Sequence, residues 1–291
     1  MSAVAEDIRL EELKPGLGAR VHGIDLNSDD VERHADFLRA AFVNHAALVF
    51  TAPDLEPNSQ IRLARLFGKA DADFVPHPNH PGKRDSDGLP KRGIIFISNK
   101  KAEDGENVGS LPDGELHFHS DGAHRKSPYR ATTLYSLEIP SIGGETKIAD
   151  LRAAYDDLTP DMKRKLEGLH VHNVYDTRAT LREQTDETND KLSNAIHPLV
   201  RVHPDTGRKS LYLSRLMTRN IVGMDRAESD ALLSELFAHI EREKYIYAHP
   251  WKVGELLMWD NRSVNHARSD FPASEPRHMR RVTISEPDLA A

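Results

Sequence analysis

Cysteine is absent from the 291-residue chain, which removes disulfides, thiolate nucleophiles and Cys-ligated zinc or iron–sulfur centres at once. Any metal would have to sit on histidine and carboxylate. Long apolar runs are missing as well. The cleanest, Ala46 to Phe50 and Ile94 to Ile97, fall far below the roughly 18 residues needed to cross a bilayer, so no membrane partner is expected. The opening MSAVAEDIRL has neither a basic region nor an apolar one, which argues against a secretory signal and for a cytoplasmic protein. A basic stripe is the third absence. At a formal charge of −7 the electrostatic drive for nucleic-acid binding is not evident, so no nucleic acid is expected and a small-molecule substrate is the better fit.

What is present is ordinary for a folded protein: 38% hydrophobic and 29% charged residues, with the apolar ones in short runs. The chain is read as one domain, 1–291, with lid-like insertions near 68–93, 99–116 and 174–196, where it turns polar and rich in Pro, Gly and His or in charge. Extended segments are expected at Ile8 to Leu13, Ala19 to Leu26, Ala47 to Phe50, Ile94 to Ser98 and Arg130 to Leu137. More follow at Leu199 to His203, Ser210 to Ser214, Tyr245 to His249, Glu255 to Trp259 and Met279 to Ser285. Helical patterns cover Asp29 to Asn44, Pro57 to Phe67 with Gly68 placed to end it, and Arg226 to Glu241 behind an Asp225/Glu228 capping box. Asp150 and Thr159-Pro160 read as N-caps of two short helices. Many short strands, few helices and no βαβ alternation point to a mainly β fold with flanking helices: a double-stranded β-helix, the jelly roll or cupin-like barrel.

With 16 histidines and 46 acidic residues, chance gives 16 × 46/291, about 2.5, His-x-acid pairs, and the sequence contains four. His34/Asp36 and His239/Glu241 fall in helical patterns, where a separation of two points side chains apart, so both are read as surface residues. His203/Asp205 lies in a Pro-Asp-Thr-Gly turn whose Asp and Gly serve backbone geometry. His119/Asp121 follows Leu116-His117-Phe118, and on a strand end two such side chains share a face. His117 shares that face and is a rival ligand. Two histidines and one carboxylate would leave open positions on an iron, and Gly254 to His266 offers a third ligand just after a buried strand.

Here the chain resembles the taurine dioxygenase and 2,4-dichlorophenoxyacetate dioxygenase family (TauD/TfdA) of Fe(II)- and 2-oxoglutarate-dependent oxygenases. The resemblance rests on FHSD at 118–121, GGET at 143–146, WDNR at 259–262, His266 and RHMRRVTI at 277–284, and it spans most of the chain. It implies His119, Asp121 and His266 as iron ligands, Arg277 with Thr146 as the holders of the far carboxylate of 2-oxoglutarate, and O2 as second co-substrate. It also implies an anionic substrate, a carboxylate, aryloxy acid or sulfonate, gripped by Arg281. The taurine enzyme's histidine is replaced here by Asp73, with His77 further on, and Glu115 stands four before the first ligand, which argues against taurine itself. Asp73, His77 and Glu115 are therefore substrate-contact candidates. A carboxylate at Asp121 disfavours halogenation, since halogenating relatives lack it. The competing readings are a jelly-roll metal enzyme that does not use 2-oxoglutarate and a non-catalytic ligand-binding protein on the same scaffold. A homo-oligomer, dimer or tetramer, is expected.

Overall fold

The computed structural model describes residues 8–70, 94–103, 105, 107–175 and 192–285. Asp73 and His77 lie outside them, as does most of the stretch between Val174 and Ala195.

The strand Glu255–Asp260 organises the molecule. It is buried along its whole length, between Ala47–Thr51 on one side and Tyr129–Glu138 on the other, both antiparallel to it. Covered on both faces, it reads as the continuous apolar run Leu-Leu-Met-Trp instead of an alternating one. The two-residue period then assigns the faces: Leu256 and Met258 enter one core, Leu257 and Trp259 the other. The same rule divides Ala47 and Val49 from Leu48 and Phe50. His278–Ser285 pairs with Tyr129–Glu138 and carries Ile95–Ser98 and Lys69–Ala70 on its far side. Arg9–Lys14 and Leu17–His22 complete an eight-stranded sheet, in which the pairing of Leu17–His22 with Ala47–Thr51 is parallel.

A four-stranded antiparallel sheet faces it: Ile246–His249, Thr146–Asp150, Val264–Arg268 and Leu116–His119 in spatial order. Ile148 and Val264 from this sheet meet Trp259, Leu134 and Met279 from the larger one in the inner core. The larger sheet buries its other face under the helices Ala35–His45 and Pro57–Arg65. A third core lies under the helix Arg226–Ile240, packed with Leu151–Asp156 and with small sheets that include His170–Val174, Asn194–Pro198 and Thr218–Ile221. The jelly-roll expectation holds, as two facing sheets whose ladders are separate among the described residues. No described helix is long and apolar enough to cross a membrane.

Local expectations need three corrections. The helical pattern Asp29 to Asn44 is two elements: a 3-10 helix Asp29–His34, capped by the Ser28 hydroxyl accepting from Asp30 N–H, and then Ala35–His45. Gly68 does not end the second helix, which stops at Arg65. It lies where a Cβ would come 2.5 Å from the Ser285 carbonyl oxygen, so its lack of a side chain lets the chain press against the end of His278–Ser285. His239 is not a surface residue: its Nε2 donates to the Ala154 carbonyl at 2.8 Å, and Glu241 pairs with Arg215. Asp225, Asp150 and Thr159 all cap helices as expected.

The segment near 99–116 is tied to the body where it is described. Ser110 N–H donates to Phe96 O, and the Arg268 guanidinium donates to the carbonyls of Leu111, Asp113 and Gly114.

Candidate functional site

His119 ends its strand and is the direct ladder partner of His266, so two segments far apart in sequence bring their imidazoles to 4.1 Å between ring centroids. Asp121 lies in the turn just beyond the strand. Its Oδ1 is 3.8 Å from His119 Nε2 and its Oδ2 is 3.9 Å from His266 Nε2. The donor atoms of all three lie within 4.8 Å of one another, a group that could hold one metal ion. All three residues are less than a tenth exposed. His117, the rival, is half-buried and outside that group; its carbonyl accepts from His119 Nδ1 at 2.9 Å, which leaves His119 Nε2 free as a ligand.

Burial pushes the His119 and His266 pKa values down, most strongly for His266, where His119 adds to the effect. Both imidazoles are therefore neutral near pH 7, the form that binds a metal. Burial would raise Asp121, but Arg281, the two histidines and a Thr132 hydrogen bond outweigh it and keep the carboxylate ionised. The donor set fits a divalent iron: two neutral nitrogens and one charged oxygen on one side of the ion.

Asp121 is held from behind by residues that sequence reasoning did not assign. Thr132 Oγ1 donates to Asp121 Oδ2 at 2.7 Å and accepts from Asn261 Nδ2 at 3.0 Å. Asn261 Oδ1 in turn accepts from Trp259 Nε1 at 3.1 Å and faces Asp121 N–H at 3.3 Å. Ser120 Oγ donates to the Asn261 carbonyl. The signal was a hydroxyl at Thr132 in the buried middle of a strand, since a buried hydroxyl needs a partner.

Arg277 is 2% exposed and donates through Nε to the Gly144 carbonyl at 3.2 Å. Among the described residues no carboxylate pairs with it; burial lowers its pKa to about 9, and its charged neighbour is another cation, Arg268. Because a guanidinium does not deprotonate in proteins, that shift expresses the cost of a buried, uncompensated positive charge. Thr146 is the ladder partner of Arg268, is 3% exposed, and accepts from Trp251 Nε1 at 3.1 Å. Arg281 lies on the metal side, its Nη2 3.1 Å from Asp121 Oδ1. Arg280, between the two in sequence, faces the opposite way and donates to Gln60 and the Leu55 carbonyl. Glu115 is exposed just before its strand. The His203 turn is a turn, but His203 itself is buried against Asp260, and Asp205 bridges Arg130 and Arg262 instead of serving the backbone alone.

Two imidazoles and a carboxylate at the mouth of a two-sheet jelly roll belong to the class of non-haem metal enzymes. The chain matches the family "Taurine catabolism dioxygenase TauD, TfdA family" over residues 9–283, and it belongs to that family. It is 33% identical over 258 residues to the alpha-ketoglutarate-dependent 2,4-dichlorophenoxyacetate dioxygenase of Burkholderia sp. (strain RASC), covering 87% of this chain and 84% of that one. A taurine dioxygenase structure from Burkholderia xenovorans superposes with a TM-score of 0.79 at 25% identity, over 96% of this chain and 89% of that one. The structure of AAD-2 in complex with Mn(II) and N-oxalylglycine superposes at 0.78 and 29% identity, over 98% and 99%. The protein is thus a 2-oxoglutarate-dependent dioxygenase, and its cofactor and co-substrates are Fe(II), 2-oxoglutarate and O2.

Proposed function

We propose that the protein hydroxylates a small organic anion, with His119, Asp121 and His266 as the iron ligands, Arg277 and Thr146 as the holders of the distal carboxylate of 2-oxoglutarate, and Arg281 as the contact for the substrate's charged head. The observation that carries this reading is Arg277: a buried guanidinium with no carboxylate partner among the described residues, immediately before the strand His278–Ser285 that bears Arg281. A dicarboxylate chelating the metal at one end leaves a second carboxylate that a buried arginine can pair in bidentate fashion. When bound, the iron supplies the oxidative decarboxylation of 2-oxoglutarate by O2, giving succinate and CO2, with the second oxygen atom entering a substrate C–H bond.

The chain's own residues position the reactants. Thr132 holds the Asp121 carboxylate and Asn261 its backbone N–H. Arg281 touches Asp121 while 19% of its side chain stays exposed, which suits a second anion close to the metal. An aryloxy acid fits better than a short sulfonate. His124, three residues after Asp121, stacks on Tyr175 with centroids 4.7 Å apart, an aromatic pair that would suit an aryl group.

The test is succinate release over a panel of aryloxy acids, alkyl carboxylates, alkyl sulfates and sulfonates, with Fe(II) and air. Aryloxy acids are expected to exceed the uncoupled background. Arg281→Gln should raise the substrate KM with little change for 2-oxoglutarate, and Arg277→Gln should do the reverse. An Arg277→Gln enzyme with unchanged 2-oxoglutarate affinity would refute the assignment.

A further inference from the structure

We propose that Trp251 is a positioning residue for 2-oxoglutarate, acting through the hydroxyl of Thr146; this rests on the reading that Thr146 and Arg277 take the distal carboxylate. The Trp251 indole N–H donates to Thr146 Oγ1 at 3.1 Å. A threonine hydroxyl has a single proton to give and accepts through its lone pairs. With the indole filling an acceptor position, the Thr146 proton must point away from Trp251, and the hydroxyl is preset as a donor. A carboxylate needs such a donor, and a freely rotating hydroxyl would have to be oriented at the moment of binding. Thr146 is in the right neighbourhood for it: Gly144, two residues earlier, supplies the carbonyl that holds Arg277 Nε, and Arg268 lies opposite Thr146 in the ladder.

The indole is itself held in place. It sits edge-on to the His249 ring, with centroids 4.5 Å apart at 85°. His249 is fully buried and is the ladder partner of Thr146 on the other side. Its Nδ1 is 3.1 Å from the Tyr247 hydroxyl, and its Nε2 lies 3.2 Å from the Glu255 carboxylate. Glu255 is anchored by Arg20 at 2.8 Å and by Lys252 N–H at 3.0 Å. A line of contacts therefore runs from Arg20 through Glu255, His249 and Trp251 to the Thr146 hydroxyl, and none of these residues belongs to the trio of His119, Asp121 and His266.

The test is calorimetric titration of Mn(II)-loaded protein with N-oxalylglycine, alongside Mn(II) affinity and thermal melting. Trp251→Phe keeps the ring and removes only the donor. It should weaken N-oxalylglycine binding about three- to tenfold, the size of one hydrogen bond, and leave Mn(II) affinity unchanged. Thr146→Val should weaken it comparably, Thr146→Ser should remain near wild type, and the double variant Trp251→Phe/Thr146→Val should lose no more than Thr146→Val alone. If Thr146→Val weakens binding and Trp251→Phe does not, the inference fails and the co-substrate reading survives. If Thr146→Val changes nothing, the reading fails and takes the inference with it. Additive losses accompanied by weaker Mn(II) binding would mean general loosening and would also overturn it.

Discussion

His203 Nε2 and Asp260 Oδ2 meet at 2.9 Å, both side chains almost wholly buried, beneath the turn that presents Asn261 to Asp121, the carboxylate of the candidate metal site. His203 Nδ1 accepts from Asp205 N–H at 3.2 Å, so Nε2 carries the proton and donates to Asp260. Asp260 also accepts from Ser263 Oγ at 2.8 Å and from Arg262 N–H at 3.0 Å. Removing one partner leaves a buried carboxylate short of a donor. His203→Ala should therefore cost about 3–5 kcal/mol in urea unfolding. A loss below about 1 kcal/mol would show that the pair does not brace the turn.

Thr132 donates its hydroxyl to Asp121, which separates metal affinity from fold stability. Thr132→Val should lower stability by about 1 kcal/mol, one hydrogen bond's worth. Its effect on Mn(II) or Fe(II) affinity should be larger, about 10- to 100-fold, because the carboxylate loses the bond that orients it. Competition with a chelating dye measures the affinity directly, and an unchanged affinity would contradict the role given to Thr132.

Two glycines provide a controlled comparison. Gly143 and Gly168 both adopt left-handed backbone, φ +75 and +74. A Cβ at Gly168 would meet nothing within 4 Å, whereas one at Gly143 would lie 2.2 Å from the Asp270 carbonyl oxygen. Gly168→Ala should cost about 1–2 kcal/mol from conformation alone. Gly143→Ala should cost about 1–3 kcal/mol more, since backbone must move. Equal melting temperatures for the two variants would be inconsistent with the close approach.

Glu255 makes stability depend on acid. Burial alone would raise its pKa, but hydrogen bonding to His249 and Arg20 overrides this and lowers it to about 2 from the ordinary 4.5. The folded state therefore holds its proton less tightly than the unfolded state. Its stabilisation is complete above the unfolded value and is lost as pH falls from 4.5 through about 2. The difference in unfolding free energy between wild type and Glu255→Gln should be constant near neutrality and shrink across that window. A difference independent of pH would remove Glu255 from the account.

Much of the site was legible because ligand chemistry is written in residue types and spacing. His119 and Asp121 could be chosen over three rival pairs by asking which side chains an element could turn to one face, and the structure joins them to His266. The four-residue spacing of Arg277 and Arg281 fits their common inward direction in the structure, where Arg280 between them turns the other way. The small three-stranded sheet of His170–Val174, Asn194–Pro198 and Thr218–Ile221 escaped notice, because its strands are short and polar and their pairing joins residues far apart. The burial of His203 was not legible for a related reason. Its turn chemistry is local and correct, but its burial depends on Asp260, 57 residues away.

From the order of residues alone came the jelly-roll class and the absence of any thiolate site, which follow from composition and period, and the family, which follows from its motifs; the resemblance also named the three side chains that the fold brings within 4.8 Å of one another. Only the folded chain could decide that Arg277 is a buried cation without a carboxylate partner among the described residues, that Arg281 reaches Asp121, and that Trp251 fills an acceptor position of Thr146. Burial and pairing are properties of neighbours in space. The energy of a buried charge or hydroxyl depends on what lies within about 4 Å of it, and that is set by how distant strands stack.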